Sequence, residues 1–509
     1  MRACRWIVAA GFSLAMAAIL AVVLTMETTA RALLTGQGML LMLGLAALLA
    51  LGALTLRPDG PVPRRAWLGE VACWGLLIVL QVALSFFAYF MTGWDVRTLL
   101  ESAYALTGGE ALVDHYYYSL YPNNAFLTLA FSGVMRAFRW LSPGAGLDRC
   151  AYVLIVLQCA LNTLAGAMTQ RTAQELTGSR RLSRLAAAVY VGFIGLSPWL
   201  MIPYSDSVAL FFPIAMLYVY ARRGERGAGA WLLIGLLTGV GYLIKPQAAI
   251  IAIALVLVEA MRAVSARRAG RFVLRAACVI GVTALLVGPG FDALLARSGI
   301  EVREERTLGP LHFAMMGLSE RTGGTYDAED LVRSVSVEDP QARAAMQREE
   351  IAARLDAMGP GGLARHLLRK TRINFGDGMF AWGGEGNFFA EMIADKDGVI
   401  SPFLKRALGC YGDSAAARAL AGWFQAVWLA LLALCVGMAP AYAAARGDDR
   451  RRDLMLTLML ALLGLALFET LFEARARYLY AYAPLIVLAG VCGMRSIVSL
   501  IHDRLAKQT

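Results

Sequence analysis

The chain has 509 residues, of which 58% are hydrophobic and only 17% charged, with a mean hydropathy of +0.58. Soluble domains hold about 45–50% apolar and about 25% charged residues, so this composition excludes an ordinary soluble protein and fits a chain built for lipid. The formal net charge of +11 would suit a nucleic-acid binder, but the basic residues sit in short clusters between apolar runs, as membrane-protein loops do.

The N-terminal stretch, MRACRWIVAAGFSLAMAAILAVVL, has the basic start and apolar body of a secretory signal. It is long enough to span and more spans follow, so it reads as an uncleaved first helix. Apolar runs near the ~20 residues that cross ~30 Å of hydrocarbon recur near 5–26, 36–56, 67–91, 149–169, 185–202, 204–221, 229–245, 247–261, 273–295, 420–444, 454–471 and 476–498. The expected fold is therefore an all-α polytopic membrane protein of about twelve transmembrane helices. Two long non-spanning segments interrupt it, 92–148 and 296–419. They divide the chain into an N-terminal module (1–295), a mostly helical outer segment (296–419) and a C-terminal module (420–509).

Charge orients the bundle. With the N-terminus inside, nineteen arginines fall in the inner loops: Arg57, Arg64 and Arg65; Arg171, Arg180, Arg181 and Arg184; Arg222, Arg223 and Arg226; Arg262, Arg267, Arg268, Arg271 and Arg275; and Arg446, Arg450, Arg451 and Arg452. The short outer loops hold Arg31, Lys245, Arg475 and Arg477. This bias puts both termini in the cytoplasm and both long segments outside a plasma membrane.

In the first outer segment the spacing of Val96, Leu99, Leu100 and Ala103 predicts an interfacial helix over 95–106, and a second follows Asn124 to about Trp140. In the second, 339–358 reads as an amphipathic helix with Pro340 in its first turn, and another follows Pro360-Gly361-Gly362 to about Arg372. The eight cysteines contain no C-x-x-C, and neither a disulfide framework nor a thiolate zinc site is indicated.

The polar residues that stand out all fall on the outer face. Asp95, between Trp94 and an incipient helix, is either a first-turn carboxylate or a general base partly desolvated beside an indole. Asp206, after Pro203-Tyr204-Ser205 at a tight outer turn, is either a helix cap or a second acid, a hydroxyl-orienting group or a metal ligand. Lys245 precedes Pro246 and either snorkels to the interface or meets an anion. Arg475 and Arg477 run against the charge bias. Guanidinium pairs suit the phosphate of a lipid carrier, with a salt bridge from Glu473 as the plain alternative. The run Tyr116–Tyr118 with Tyr121 is explained by an interfacial aromatic belt, whereas Asn123 and Asn124 offer paired donors and acceptors for vicinal hydroxyls. His115 lacks companions for a multi-histidine metal site, and carboxylate-only binding of a divalent cation (Mg2+, Mn2+ or Ca2+) stays open.

Five stretches together resemble the GT-C superfamily of membrane glycosyltransferases, nearest its protein O-mannosyltransferase-like branch (family 39 and relatives, including the bacterial aminoarabinose transferases) and its bacterial members. They are YPNN at 121–124, PYSDSVALFFP at 203–213, GYLIKPQ at 241–247, NFGDGMFAWGGEGNFF at 374–389 and LFEARARYLYAYAPL at 471–485. The resemblance implies an inverting enzyme of the bacterial cell membrane that takes a sugar, mannose or another hexose, from a polyprenyl monophosphate and passes it to an extracytoplasmic acceptor: a cell-envelope glycan, a lipid or a protein. Asp95 matches the catalytic base, and Lys245, Arg475 and Arg477 match by position the basic residues that hold the carrier phosphate. Beside these, Asp206 is the second catalytic candidate from the residues themselves, and Tyr121, Asn123, Asn124, Asp377 and Glu385 are candidates for substrate binding. Two departures are plain: Asp95 is followed by Val96 where the best-known mannosyltransferases carry an acidic pair, and no β-trefoil insertion is visible. A transporter or flippase for a lipid-linked sugar is the competing class. It expects ionisable groups near mid-membrane and repeat symmetry, neither of which is evident. A scaffold protein would not need five polar motifs on one face.

Overall fold

The computed structural model describes residues 2–25, 36–55, 59, 65–110, 114–223, 227–266, 269–386, 389–391 and 393–506. Arg31, Arg57, Arg64, Arg226, Arg267, Arg268, Asn387 and Phe388, used in the sequence reading, lie outside the described residues.

Each apolar run folds as helix, and the chain is an all-α polytopic membrane protein. Among the described residues nine helices are long and apolar enough to cross a membrane. The other three of the twelve runs are shorter or broken. The run near 185–202 forms the helix Arg180–Tyr190, a π-helical turn Val191–Gly195 and a 3-10 turn Pro198–Met201. The next forms Ser205–Ala209 and Phe211–Arg223, and the third is Ala228–Ile244. Proline accounts for the breaks. A residue before proline is pushed out of the helical region, and both Ser197, before Pro198, and Lys245, before Pro246, are extended (φ −66°, ψ 142° and φ −156°, ψ 114°).

Apolar side chains such as Leu14, Val71, Leu76 and Ile280 remain exposed around the bundle, the surface that lipid covers in a spanning helix. Inside, small residues let backbones meet. A Cβ on Gly493 would lie 1.9 Å from the Leu434 carbonyl oxygen, and one on Gly437 2.5 Å from that of Gly493. Close helix crossings of this kind are built on glycine.

Both expected interfacial helices are present, as Trp94–Gly108 and Asn123–Leu141. The outer segment carries the long helix Pro340–Phe375, capped by Asp339, whose carboxylate accepts the Ala342 N–H at 2.6 Å. It breaks at Gly359, where φ is +56°, so the two expected helices abut through a left-handed glycine. A short antiparallel ladder joins Met91–Thr92 to Phe389–Glu391 and ties the two long segments together at one end of the bundle, the loop end.

The opposite end carries the arginine clusters of the short inner loops and a buried ionic network. Asp453 pairs with Arg5 at 3.1 Å and Arg262 at 3.2 Å. Glu259 pairs with Arg262 at 3.0 Å and with Arg275, and accepts the Tyr220 hydroxyl at 2.9 Å. The network staples four of the spanning helices and the helix Phe211–Arg223 to one another.

Candidate active site

Four interruptions of helix at the loop end aim side chains at one another. The chain is extended at Gly93, Tyr204, Lys245 and Arg475, each immediately before a helical segment. These breaks turn the chain back into the bundle and leave charged or aromatic groups at its rim.

The charged groups form an alternating ladder. Lys245 pairs with one oxygen of Asp206, and Arg477 Nη1 lies 3.2 Å from the other. Arg477 Nε is 2.8 Å from Glu385 Oε2, and Arg475 Nη1 meets that same oxygen at 2.6 Å. Arg475 Nε then reaches Glu473 Oε1 at 2.7 Å, and the Tyr478 hydroxyl donates to Glu473 Oε2 at 3.0 Å. Asp206 is completely buried, and the side chains of Lys245 and Arg477 are each 6% exposed. Burial works against the Arg475 charge, but Glu473 and Glu385 more than offset it and hold its pKa well above the ordinary value.

Aromatic rings wall the ladder. Arg477 lies over Trp94 with its Cζ 4.6 Å from the ring centroid, and Lys245 lies over Tyr478 at 4.2 Å. Trp94 and Tyr204 meet edge to face at 4.9 Å. The Tyr204 hydroxyl donates to Asp95 Oδ2 at 3.1 Å. Asp95 sits in the first turn of Trp94–Gly108 without capping it. Among the described residues no cation pairs with Asp95, whereas Asp206, Glu385 and Glu473 each pair with at least one.

The backbone here is unusual. Among the described residues three non-glycines have left-handed φ: Trp94 (+47°), Phe380 (+56°) and Ala381 (+62°). All three flank this site, where such strain persists only if surrounding contacts hold it. Asp377 does the holding at 380–381: its two oxygens accept the N–H groups of Met379 and Ala381, each at 2.8 Å. Burial pushes its carboxyl up, and those N–H groups pull it back. Gly378 is required beneath this turn, because a Cβ would lie 2.6 Å from the Phe424 carbonyl oxygen.

Most of the expected residues come together, with different roles visible. Lys245 does not snorkel, since it faces Asp206. The salt bridge from Glu473 to Arg475 is present. Tyr121 lies within electrostatic reach of Asp95, Glu473 and Arg475. Asn124 is buried and spends its amide N–H on the Tyr117 hydroxyl at 2.6 Å, while Asn123 is exposed. Asp377 supports a turn. His115 Nδ1 faces the Glu301 N–H at 3.3 Å, and no group of three or more His, Cys, Asp or Glu suited to a metal ion is present among the described residues.

Sequence reasoning passed over Tyr204, although it sits inside a quoted motif next to Asp206, and it gave Trp94 no strain. It also missed Arg372, which lines a cavity of about 730 Å3 behind Glu385 and Arg475. Glu469 escaped notice as well. It is buried near the end of a span, and both of its carboxylate oxygens lack a hydrogen-bond partner among the described residues.

The family model described as conserved hypothetical integral membrane protein matches residues 13–497, and the chain belongs to that family. No curated protein matches the sequence. Among solved structures the chain is similar to ArnT from Cupriavidus metallidurans bound to undecaprenyl phosphate, at 12% identity and a TM-score of 0.34, covering 86% of this chain and 78% of that one. It is also similar to the oligosaccharyltransferase of Archaeoglobus fulgidus tethered with an acceptor peptide, at 15% identity and a TM-score of 0.39, covering 85% of this chain and half of that one. ArnT in the apo state matches at 12% identity and 0.33, with 84% and 78% covered.

Proposed function

We propose that this integral membrane protein is an inverting glycosyltransferase that moves a sugar from a polyprenyl-monophosphate carrier to an acceptor hydroxyl at the loop end of the bundle. The loop end faces outward in this reading, with both termini in the cytoplasm of a bacterial cell. The observation that carries it is the pairing of a free carboxylate with a cationic pole at one rim. Among the described residues Asp95 has a hydroxyl partner and no cation, while Lys245, Arg475 and Arg477 are gathered at the same rim.

The chemistry follows from that division. Asp95 takes the proton of the acceptor hydroxyl as its oxygen attacks the anomeric carbon. The bond from that carbon to the phosphate oxygen breaks, and the electron pair leaves with the polyprenyl phosphate. The guanidinium pole stabilises the charge that develops there, the larger share of catalysis in sites of this type. Asp206 is assigned the part of anchor: buried between Lys245 and Arg477, it holds both cations in place. Tyr121 and the exposed Asn123 are assigned to the sugar or acceptor hydroxyls.

The test is sugar transfer by purified protein in lipid nanodiscs, paired with mass spectrometry of envelope glycans and lipids from a deletion strain. An Asp95→Asn protein that folds normally and transfers nothing is the expected result. Full activity in that variant, or an unchanged envelope in the deletion strain, sinks the assignment.

A further inference from the structure

The cavity behind the ladder has a charge left over. Its wall includes three acids and three arginines, and nearly all are spoken for. Asp377 is used by two backbone N–H groups. Asp413 pairs with Arg418 at 2.5 Å. Glu385 bridges Arg475 and Arg477 through a single oxygen. Arg372, half-buried near the end of Pro340–Phe375, has no ion pair or side-chain hydrogen bond among the described residues. A partly desolvated guanidinium without a counter-ion is unfavourable, and a cavity that presents one selects for an anion.

The rest of the wall says what carries the anion. Ile373, Met379, Trp382 and Leu408 are apolar, and Ala417 and Ala421 belong to the first two turns of the spanning helix Ala415–Cys435. The cavity therefore runs from a charged rim onto the flank of a membrane span, a shape that fits a polar head with a hydrocarbon tail.

Glu385 is placed like a substitute ligand. One carboxylate oxygen accepts from Arg475 Nη1 at 2.6 Å and lies 2.8 Å from Arg477 Nε, which has no hydrogen-bond partner among the described residues, so a phosphate oxygen at this place would gain the donor the carboxylate leaves unused. It is carried on the turn Trp382–Gly386, with Gly383 and Gly384 before it, and nothing lies within 4 Å of a Cβ built on either. The turn is anchored by Trp382, whose indole N–H donates to the Leu408 carbonyl at 2.9 Å, and the Glu385 N–H bonds the Ala381 carbonyl at 2.8 Å, so it is the carboxylate side chain that an incoming group displaces.

We infer that this cavity is the entry pocket for a phosphate-bearing membrane lipid, with Arg372 as its free cation and Glu385 as the resting counter-ion that the incoming phosphate displaces from Arg475. The inference rests on the glycosyl-transfer reading only for which lipid enters. It makes the ladder a closed form of the site, neutral until the phosphate replaces the carboxylate.

The experiment is binding to the full-length protein in nanodiscs, read by native mass spectrometry, with farnesyl phosphate as probe and farnesol, inorganic phosphate and phosphatidylglycerol as competitors. Arg372→Gln weakens farnesyl phosphate binding about tenfold, and Arg372→Lys retains most of it. Glu385→Gln tightens binding severalfold, the opposite sign, which general damage to the pocket does not produce. Competition by inorganic phosphate but not by farnesol supports recognition of the head. Stronger competition by phosphatidylglycerol supports the pocket and names an ordinary phospholipid as its source. Equal binding of farnesol and farnesyl phosphate overturns the proposal, as does Arg372→Gln binding like wild type or Glu385→Gln binding more weakly. Asp95→Asn binds the probe as wild type does, so an active Asp95→Asn protein refutes the transfer reading and leaves the pocket standing.

Discussion

The two ends of the bundle each hold a buried network of carboxylates and cations, and they are built differently. At the arginine end, Asp453 and Glu259 each receive two arginines, all from helical positions. At the loop end, the ladder is carried by residues at helix breaks, flanked by three left-handed non-glycines, and bordered by a cavity. Among the described residues it also has charged groups left over: Asp95 and Glu469 are in no ion pair, and neither is Arg372. A staple uses up its charges on itself. A site holds its backbone under tension and keeps some of its charges for a partner.

The largest effect that would break this comparison is at Asp95. Asp95→Asn keeps the shape and removes the base, and the expected loss in transfer rate is about 10²–10⁴-fold with thermal stability unchanged. Next come the two buried acids, Asp206 and Asp453. Removing one partner of a buried ion pair costs about 3–5 kcal/mol, so Asp206→Asn and Asp453→Asn both lower stability in denaturant titration. Asp453→Asn falls at the low end, because the Arg262 side chain it pairs with is 30% exposed. The activity per folded molecule separates them: unchanged for Asp453→Asn, lost for Asp206→Asn, whose Lys245 and Arg477 come adrift. Equal activity in both would erase the difference between staple and site.

How much of this was legible in the sequence divides along the same line. Spans, interfacial helices and the capped helix at Pro340 follow from apolar period, proline and caps, which act locally and so leave a local trace. The rim residues Asp95, Asp206, Lys245, Arg475 and Arg477 stood out because charge at a span end is costly. The pairing among them did not, since it depends on which helix breaks face each other. Lys245 as a snorkelling side chain and Lys245 against Asp206 look identical in sequence. Asp377 was legible as a polar residue in a glycine-rich turn, but its use in holding two left-handed residues is a matter of backbone angles. Arg372 gave no signal at all, one arginine among several on an amphipathic helix.

A smaller effect distinguishes the loop end by pH. His312 is buried on the helix Pro310–Gly317, with Nδ1 2.9 Å from the Ser334 hydroxyl oxygen and Nε2 without a hydrogen-bond partner among the described residues. Burial lowers its pKa from 6.5 to about 4. The unfolded chain thus takes up the proton first as pH falls through 6.5. Stability is full above that pH and is lost towards pH 4, by about 3 kcal/mol. Urea titrations of wild type and His312→Gln across this window check it: the variant has the shallower slope. Parallel slopes would show that His312 does not set the acid sensitivity of the outer segment.

The smallest effect is the most discriminating for Asp95 itself. Tyr204 is buried, its ring held between Trp94 and Arg477, and its hydroxyl donates to Asp95 Oδ2 at 3.1 Å. Tyr204→Phe keeps the ring and deletes that one bond. A hydrogen bond to a charged group contributes about 1.5–3 kcal/mol, and the carboxylate retains water as an alternative partner because it is only half-buried. The expected cost is therefore near the lower bound, about tenfold in kcat with KM for the lipid donor unchanged, since Tyr204 orients the base and leaves the cationic pole alone. A rise in KM with kcat intact would place Tyr204 with the donor and detach it from Asp95. An effect as large as that of Asp95→Asn would mean that the tyrosine, and not the carboxylate alone, carries the proton transfer at this rim.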